Sequence, residues 1–299
     1  MNVTVIICTY NRANLLKRAL NSLVKQTFRD FETIIVDDGT DDKIAELCNT
    51  MKDKLLNLKY ISTGGNTGSA YARNKGIEIA KGNFILFTDD DCIPAENWVE
   101  KLSFYLAKEP VIAGAVMSPV SNYLKLCHNI SQFHAYMPGQ KEGKIEFIAG
   151  ANMGFRVSVL KELKGFKKEQ KLAVDTELIL RARMKNYEPY FTSEAVVIHD
   201  PDRTTLRDIF TYSSTHSAYT ILLRNQYRFL LMTPFILRSP FLILLMSPLI
   251  ALKVTANIYL KNHMRKFIWT SPVVYALKMA WCWGAFCGLM DRKAMEEKL

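Results

Sequence analysis

The stretch that most constrains this chain is residues 84–94, FILFTDDDCIP, where four apolar residues are followed, after Thr88, by three consecutive aspartates. An unbroken apolar run suits a strand covered on both faces of a parallel sheet. Asp89, Asp90 and Asp91 then fall at the carboxyl end of that strand, the edge at which open α/β sheets bind ligands. Side chains alternate along an extended segment, so Asp89 and Asp91 share a face and Asp90 opposes them. Two hard oxygen ligands on one side suit a divalent cation, and Mg²⁺ typically binds through one or two carboxylates plus substrate phosphates. A solvated acidic turn is the competing reading.

The chain before this stretch alternates strand and helix. Strands are predicted at 3–9, 31–36 and 58–62, and helices from Leu15 to Leu23, at 43–51 and at 70–80, the last carrying Arg73 and Asn74. Asn14 reads as an N-cap and Asp37-Asp38-Gly39 as a turn. Such alternation predicts a doubly wound, nucleotide-binding half. Neither G-x-G-x-x-G nor a Walker A pattern occurs, which argues against a dinucleotide dehydrogenase and a P-loop kinase. Further on, a helix is predicted at 98–106 and strands at 111–117, 147–155 and 190–199. Residues 118–144 read as a substrate loop. A helix opens at Val174, where Asp175 reads as a cap carboxylate favoured by the helix dipole. His199, taken singly, is more readily structural than a metal ligand.

Charge separates the two ends of the chain. The formal net charge is +10, and residues 209–290 contain no Asp or Glu but eight Arg and Lys among many Leu, Ile, Phe and Trp. Basic plus apolar suits an anionic membrane surface better than nucleic acid, for which no motif is present. The apolar blocks at 229–237, 239–252, 267–277 and 279–290 fall short of the about 20 residues a spanning helix needs. Pro234, Pro240 and Pro248 would interrupt them. Helices lying in the membrane plane or shallowly inserted are therefore expected. A helical subdomain packed on the catalytic part, a homo-oligomer interface or a hairpin through the bilayer are the alternatives. Six cysteines without a C-x-x-C pair predict buried thiols in a reducing compartment, and no signal-peptide pattern is seen at residue 1. The soluble part is thus expected on the cytoplasmic face of the cell membrane.

Several segments, taken in order, resemble the family 2 glycosyltransferases: VIICTYNR from Val5, QTFRDFETIIVDDGT from Gln26, GNTGSAYARNKGI from Gly65, TDDD from Thr88, GANMGFR from Gly150 and VDTELILRARMKNY from Val174. The resemblance covers about residues 3–200 and implies an α/β fold of GT-A type. That fold is a Rossmann-like, mostly parallel central sheet flanked by helices, here followed by a helical, membrane-associated region. A catalytic domain at 1–205 and a basic, apolar region at 206–299 are expected. The resemblance implies a nucleoside pocket lined by Thr9, Tyr10, Arg12 and Asp38, with Arg73, Asp89 and Asp90 also on the nucleotide. It implies Mg²⁺ or Mn²⁺ held by Asp91 with Asp89 and His199, and Asp175 as general base. The implied activity is metal-dependent, inverting transfer of one sugar from a nucleotide-sugar donor to a lipid-linked or other glycan acceptor. Two departures bear on this. Val174 stands where the family usually has Glu before the base aspartate, and the Q-x-x-R-W signature of processive synthases is absent. The first leaves room for a catalytically silent, nucleotide-sugar-binding scaffold subunit; the second favours single transfer.

Overall fold

In the computed structural model, residues 2–120 and 122–291 are described. The elements run β1 Val3–Thr9, α1 Ala13–Val24, β2 Phe31–Asp37, α2 Lys43–Met51, β3 Leu58–Ser62, α3 Ser69–Ile79, β4 Phe84–Asp89, β5 Cys92–Pro94, α4 Trp98–Leu106 and β6 Val111–Met117. Then follow α5 Tyr123–Phe133, β7 Gly143–Lys144, β8 Asn152–Arg156, α6 Val157–Glu162, α7 Val174–Met184 and β9 Tyr190–His199. The last helices are α8 Leu206–Gln226, α9 Pro240–Tyr259 and α10 Ser271–Met290, with 3-10 turns at Phe235–Arg238 and Asn262–Thr270. Two units result: Met1–Met117 with Gln140–Pro201, and Ser118–Gly139 with Asp202–Leu299.

The first unit is one mixed sheet in the order β3-β2-β1-β4-β8-β6-β9-β5, with β7 on β9. β1, β2, β3 and β4 are mutually parallel, as helical crossovers require. β8 runs antiparallel between β4 and β6, β9 lies parallel to β6, and β5 pairs antiparallel with β9. Strand β4 sits in the middle, and Ile85, Leu86 and Phe87 are buried, as an unbroken apolar run predicts. Phe87 meets Phe155 and Phe166 edge-on, with centroids 6.2 and 5.5 Å away. Burying one such side chain is worth about 1.5–3 kcal/mol.

Four expectations of local structure are corrected. Asn14 does not cap α1: Arg12 occupies that position, and its carbonyl accepts from Leu15 and Leu16 N–H. Residues 147–151 are not strand, because Asn152 N–H folds back onto the Ala149 carbonyl at 3.0 Å and pairing starts only at Asn152. Asp175 is not the cap of α7; Ala173, in the left-handed region at φ 56°, precedes the helix. The stretch read as a loop from residue 118 holds α5, whose N-cap Asn122 accepts from Lys125 N–H at 3.0 Å.

The second unit is helical. A capping box of Thr205 and Asp208 opens α8. Gly284 and Gly288 let α10 approach α8 closely, since a Cβ on Gly284 would collide with the Ser214 carbonyl and one on Gly288 would lie 2.5 Å from the Ala218 oxygen. Val274, Leu126, Ile130 and Ile258 join helices α5, α9 and α10 in one apolar cluster. Of the three prolines only Pro234 falls in a break between helices, just ahead of the 3-10 turn at Phe235–Arg238. Pro240 sits in the first turn of α9, where a missing N–H costs nothing, and Pro248 is carried within the helix. Two segments, Pro240–Tyr259 and His263–Met290, are thereby long and apolar enough to cross a membrane, by length and composition. On α9 they leave Phe241, Leu245, Leu249 and Leu252 exposed. Residues 292–299 of the expected 206–299 region lie outside the described residues.

Candidate active site

The site forms where the parallel strands end. Strand β5 pairs with β9 in a register that sets Cys92 opposite His199, and Asp200 N–H donates to the Asp91 carbonyl at 2.9 Å. This register carries the His199 Nε2 to 3.6 Å from Asp91 Oδ1. Arg18 of α1 grips the same corner, donating from Nη1 to Asp200 Oδ2 at 2.5 Å and from Nη2 to the Asp200 carbonyl at 2.8 Å.

The three aspartates have different neighbours. Asp89 accepts from Arg73 Nη2 at 3.0 Å. Asp90, fully buried, accepts from Thr9 Oγ1 at 2.7 Å and is clamped by Arg12, whose Nε and Nη2 lie 3.0 and 2.6 Å from its two oxygens. Burial pushes its carboxyl up to about 7, against the pull of Arg12. Burial also opposes the Arg12 charge, but Asp90 and Asp91 more than restore it and hold the guanidinium above its ordinary value. Asp91 is also nearly buried, yet its contacts are long: 3.5 Å to Arg12 Nη1, 3.6 Å to His199 and 3.8 Å to the Cys92 thiol. A carboxylate out of water with contacts this weak is one that a cation would complement. Asp89, the third ligand the resemblance implies, accepts from Arg73, and among the described residues no group of three or more His, Cys, Asp or Glu converges on one point; Asp91 and His199 are the two implied ligands that lie together. Two protein ligands fit Mg²⁺ or Mn²⁺ completed by diphosphate oxygens and water.

Asp38 ends the turn after β2. Its Oδ1 accepts from Thr63 Oγ1 at 2.6 Å and from the Thr67 N–H and hydroxyl at 2.8 and 2.5 Å, and its Oδ2 accepts from Gly68 N–H at 2.8 Å. Burial would raise its pKa, but these donors outweigh it and hold the carboxyl below its usual range. Asp38 thus shapes the loop over residues 63–68, and Oδ2 keeps acceptor capacity for a ligand. Tyr10 is exposed beside it on the loop after β1. Asn11, at φ 52°, accepts from Thr40 N–H at 3.1 Å and ties the two loops together.

Asp175 stands in the first turn of α7. Its Oδ2 accepts from Gly150 N–H at 2.8 Å, and a Cβ on Gly150 would lie 2.9 Å from that oxygen. The Arg73 charge acts on both Asp89 and Asp175, and its guanidinium lies 5.5 Å over the Phe166 ring. Sequence reasoning missed Thr63, Thr67, Arg18 and Asp200. The first two lie in the loop facing Asp38, a position the Thr-Gly-Gly-Asn-Thr-Gly turn composition could have suggested. Nothing local marks Arg18, whose partner is distant in the chain.

Residues 4–164 match the family model described as Glycosyl transferase family 2. Glycosyltransferase GlyG of Streptococcus pneumoniae is 30% identical over 46% of this chain and 44% of its own length. The poly(ribitol-phosphate) beta-glucosyltransferase of Bacillus spizizenii is 32% identical over 62% of this chain and 30% of its own. The chain therefore spans less than half the length of these curated relatives. Among solved structures, mannosyltransferase PcManGT from Pyrobaculum calidifontis, in complex with GDP-Man and Mn²⁺, is 20% identical with a TM-score of 0.62, over 92% of this chain and 85% of that one. TarS 1–349 of S. aureus, in complex with UDP, is 18% identical with a TM-score of 0.55, over 99% and 92%. These likenesses show the fold, which is of GT-A type.

Proposed function

Because this chain belongs to glycosyl transferase family 2, we propose that it moves a single sugar from a nucleotide-sugar donor to a lipid-linked or other membrane-proximal glycan acceptor, with inversion. The observation that carries this reading is the Asp91–His199 pair at the carboxyl edge of the sheet, beside the Asp38 loop. Mn²⁺ in the PcManGT complex and UDP in the TarS complex support a metal and a nucleotide in such a site.

Asp91 and His199 would hold the ion, and the ion, when bound, would neutralise the diphosphate leaving group as a Lewis acid. The remaining roles belong to side chains of the chain itself. Asp38 Oδ2 accepts from the base, in a pocket with Thr9, Tyr10 and Arg12. Arg12 keeps Asp90 neutralised so that the loop can pack. Arg73 orients Asp89 toward the nucleotide. Asp175, anchored by Gly150 N–H, takes the proton of the acceptor hydroxyl as it attacks the anomeric carbon. General-base catalysis of this kind is worth about 10²–10⁴-fold.

Residues 1–205 take the catalytic role in this reading, and 206–299 the membrane. The exposed apolar residues of α9, and the absence of any acid from 209 to 290, support seating against an anionic bilayer, peripherally or shallowly inserted, at the cytoplasmic face. A second reading, a catalytically silent donor-binding subunit, rests on Val174 beside Asp175. Calorimetric titration with UDP, GDP, dTDP and CDP, in Mn²⁺ and then chelator, tests the first reading. One nucleotide binding only with the ion supports it; no binding by folded protein overturns it. Donor turnover separates the enzyme from the silent subunit.

A further inference from the structure

Arg73 stands on the donor side of the site and has little of its own to orient it. It is buried on α3, and among the described residues it bonds to Asp89 through one nitrogen, Nη2 to Oδ1 at 3.0 Å. One such contact sets where a guanidinium lies but not how its plane is turned, and the plane decides where its remaining N–H groups aim. A ring supplies that constraint. Phe166 lies against the guanidinium, 5.5 Å from Cζ to centroid, and meets Phe87 edge-on with centroids 5.5 Å apart. Phe87 and Asp89 are alternate residues of β4 and share a face, so ring, cation and carboxylate gather on one side of the central strand.

Phe166 is itself placed by Asn74, the neighbour of Arg73 on α3. The Asn74 amide closes on the Phe166 backbone with both ends: Nδ2 donates to the carbonyl and Oδ1 accepts from the N–H, each at 2.8 Å. Gly165, at φ 68°, makes room for this, since a Cβ there would lie 2.4 Å from Asn74 Oδ1. From the other side Arg181 of α7, paired with Glu177, donates to the Gly165 carbonyl at 2.8 Å. Helix α7 carries Asp175 in its first turn, so the turn at 164–166 ties the helix of Arg73 to the helix of the proposed base. We propose that Asn74 and Phe166 are positioning residues: they fix the plane of the Arg73 guanidinium so that the N–H groups not engaged with Asp89 meet the anionic oxygens of the nucleotide donor. Neither touches the donor; both act through Arg73. The role rests on the donor reading of the site and adds to it two residues outside the metal and base sets.

The test combines two measurements on the full chain: arginine modification by phenylglyoxal, read by mass spectrometry, and calorimetric titration with UDP, GDP, dTDP and CDP in Mn²⁺. Phe166→Leu keeps an apolar side chain in place but removes the ring face; Asn74→Ala releases the Phe166 backbone. In each, Arg73 should be modified about tenfold faster than in wild type, and the nucleotide that wild type binds should bind about tenfold more weakly. Arg156, bonded to the Leu106 and Ala107 carbonyls, should react at the wild-type rate. In an Arg73→Met background neither substitution should weaken nucleotide binding further, because the residue they act through is gone. Equal acceleration at Arg156, or a full further loss in the Arg73→Met background, makes the pair packing residues and overturns the role. Should Asn74→Ala fail to fold, Phe166→Leu alone decides. Wild-type nucleotide affinity in Phe166→Leu overturns the role and leaves the donor reading standing, whereas wild type that binds none of the four nucleotides overturns the donor reading and the role with it.

Discussion

The amide of Gly150 donates to Oδ2 of Asp175 at 2.8 Å, which leaves no room for a side chain on that glycine. Gly150→Ala should push the carboxylate off its anchor. The expected outcome is a fall in kcat of about 10–100-fold with donor affinity unchanged, since a displacement near 1 Å costs that much in a proton-transfer geometry. Asp175→Asn should cost about 10²–10⁴-fold in kcat and likewise spare nucleotide binding. Steady-state turnover beside calorimetry separates the two quantities; normal turnover in Asp175→Asn would move the base elsewhere.

Asp91→Asn and His199→Ala should each weaken Mn²⁺-dependent nucleotide binding by about 10–100-fold, because each removes one of the two proposed ligands. In chelator, wild type and variants alike should bind no nucleotide. If the variants bind the metal–nucleotide complex as wild type does, this pair is not the ion's site.

Arg18 touches neither expected ligand but holds Asp200, whose N–H is locked to the Asp91 carbonyl. Arg18→Ala should therefore lower apparent Mn²⁺ affinity about tenfold while Arg18→Lys restores part of it. A loss of thermal stability with metal affinity intact would make Arg18 a packing residue only.

The Asp38 carboxyl is held below its usual range by donors from Thr63, Thr67 and Gly68. Between the folded and unfolded pKa values the unfolded chain binds more protons, so this contribution to stability rises with pH there. It is complete above the ordinary carboxylate range and lost as pH falls through the lowered folded value. Denaturant melts from pH 3 to 7 should show a shallower acid limb in Asp38→Asn than in wild type. Parallel curves would mean that these hydrogen bonds do not couple to folding.

Asn152 is fully buried, accepting from Trp98 Nε1 at 2.8 Å and donating to the Ala115 and Ala195 carbonyls at 2.8 and 2.9 Å. Asn152→Ala strands three polar groups in the sheet interior and should destabilise the chain by about 2–4 kcal/mol in urea unfolding. A change under 1 kcal/mol would show that solvent reaches them.

Elements whose signal is local were legible in the sequence. The apolar run 84–87, the helical spacing of Leu16, Leu20 and Leu23 and the β-branched start at Val3 each carry their own periodicity, and β1, β2, β3 and β9 form where it lies. The stretch 118–144 reads as a loop although α5 carries its own apolar face and N-cap; that face, Leu126, Cys127 and Ile130, packs on helices distant in the chain. The C-terminal blocks failed for a related reason. Helix α9 carries Pro248 internally, and packing outweighs the lost hydrogen bond that proline counts against in a local reading.

The order of acidic, glycine-bearing and basic motifs along the chain determined by itself the fold type and the family, because both depend on which residue types follow which strand. It also determined that the stretch 209–290 is acid-free and apolar. What only the tertiary structure decided is who meets whom. Cys92 pairs with His199 through an antiparallel register, Asp89 goes to Arg73 while Asp91 faces the histidine, and Lys278 finds Ser131. These contacts are set by strand register and helix packing between residues far apart in the chain, and no local pattern of side chains carries that information.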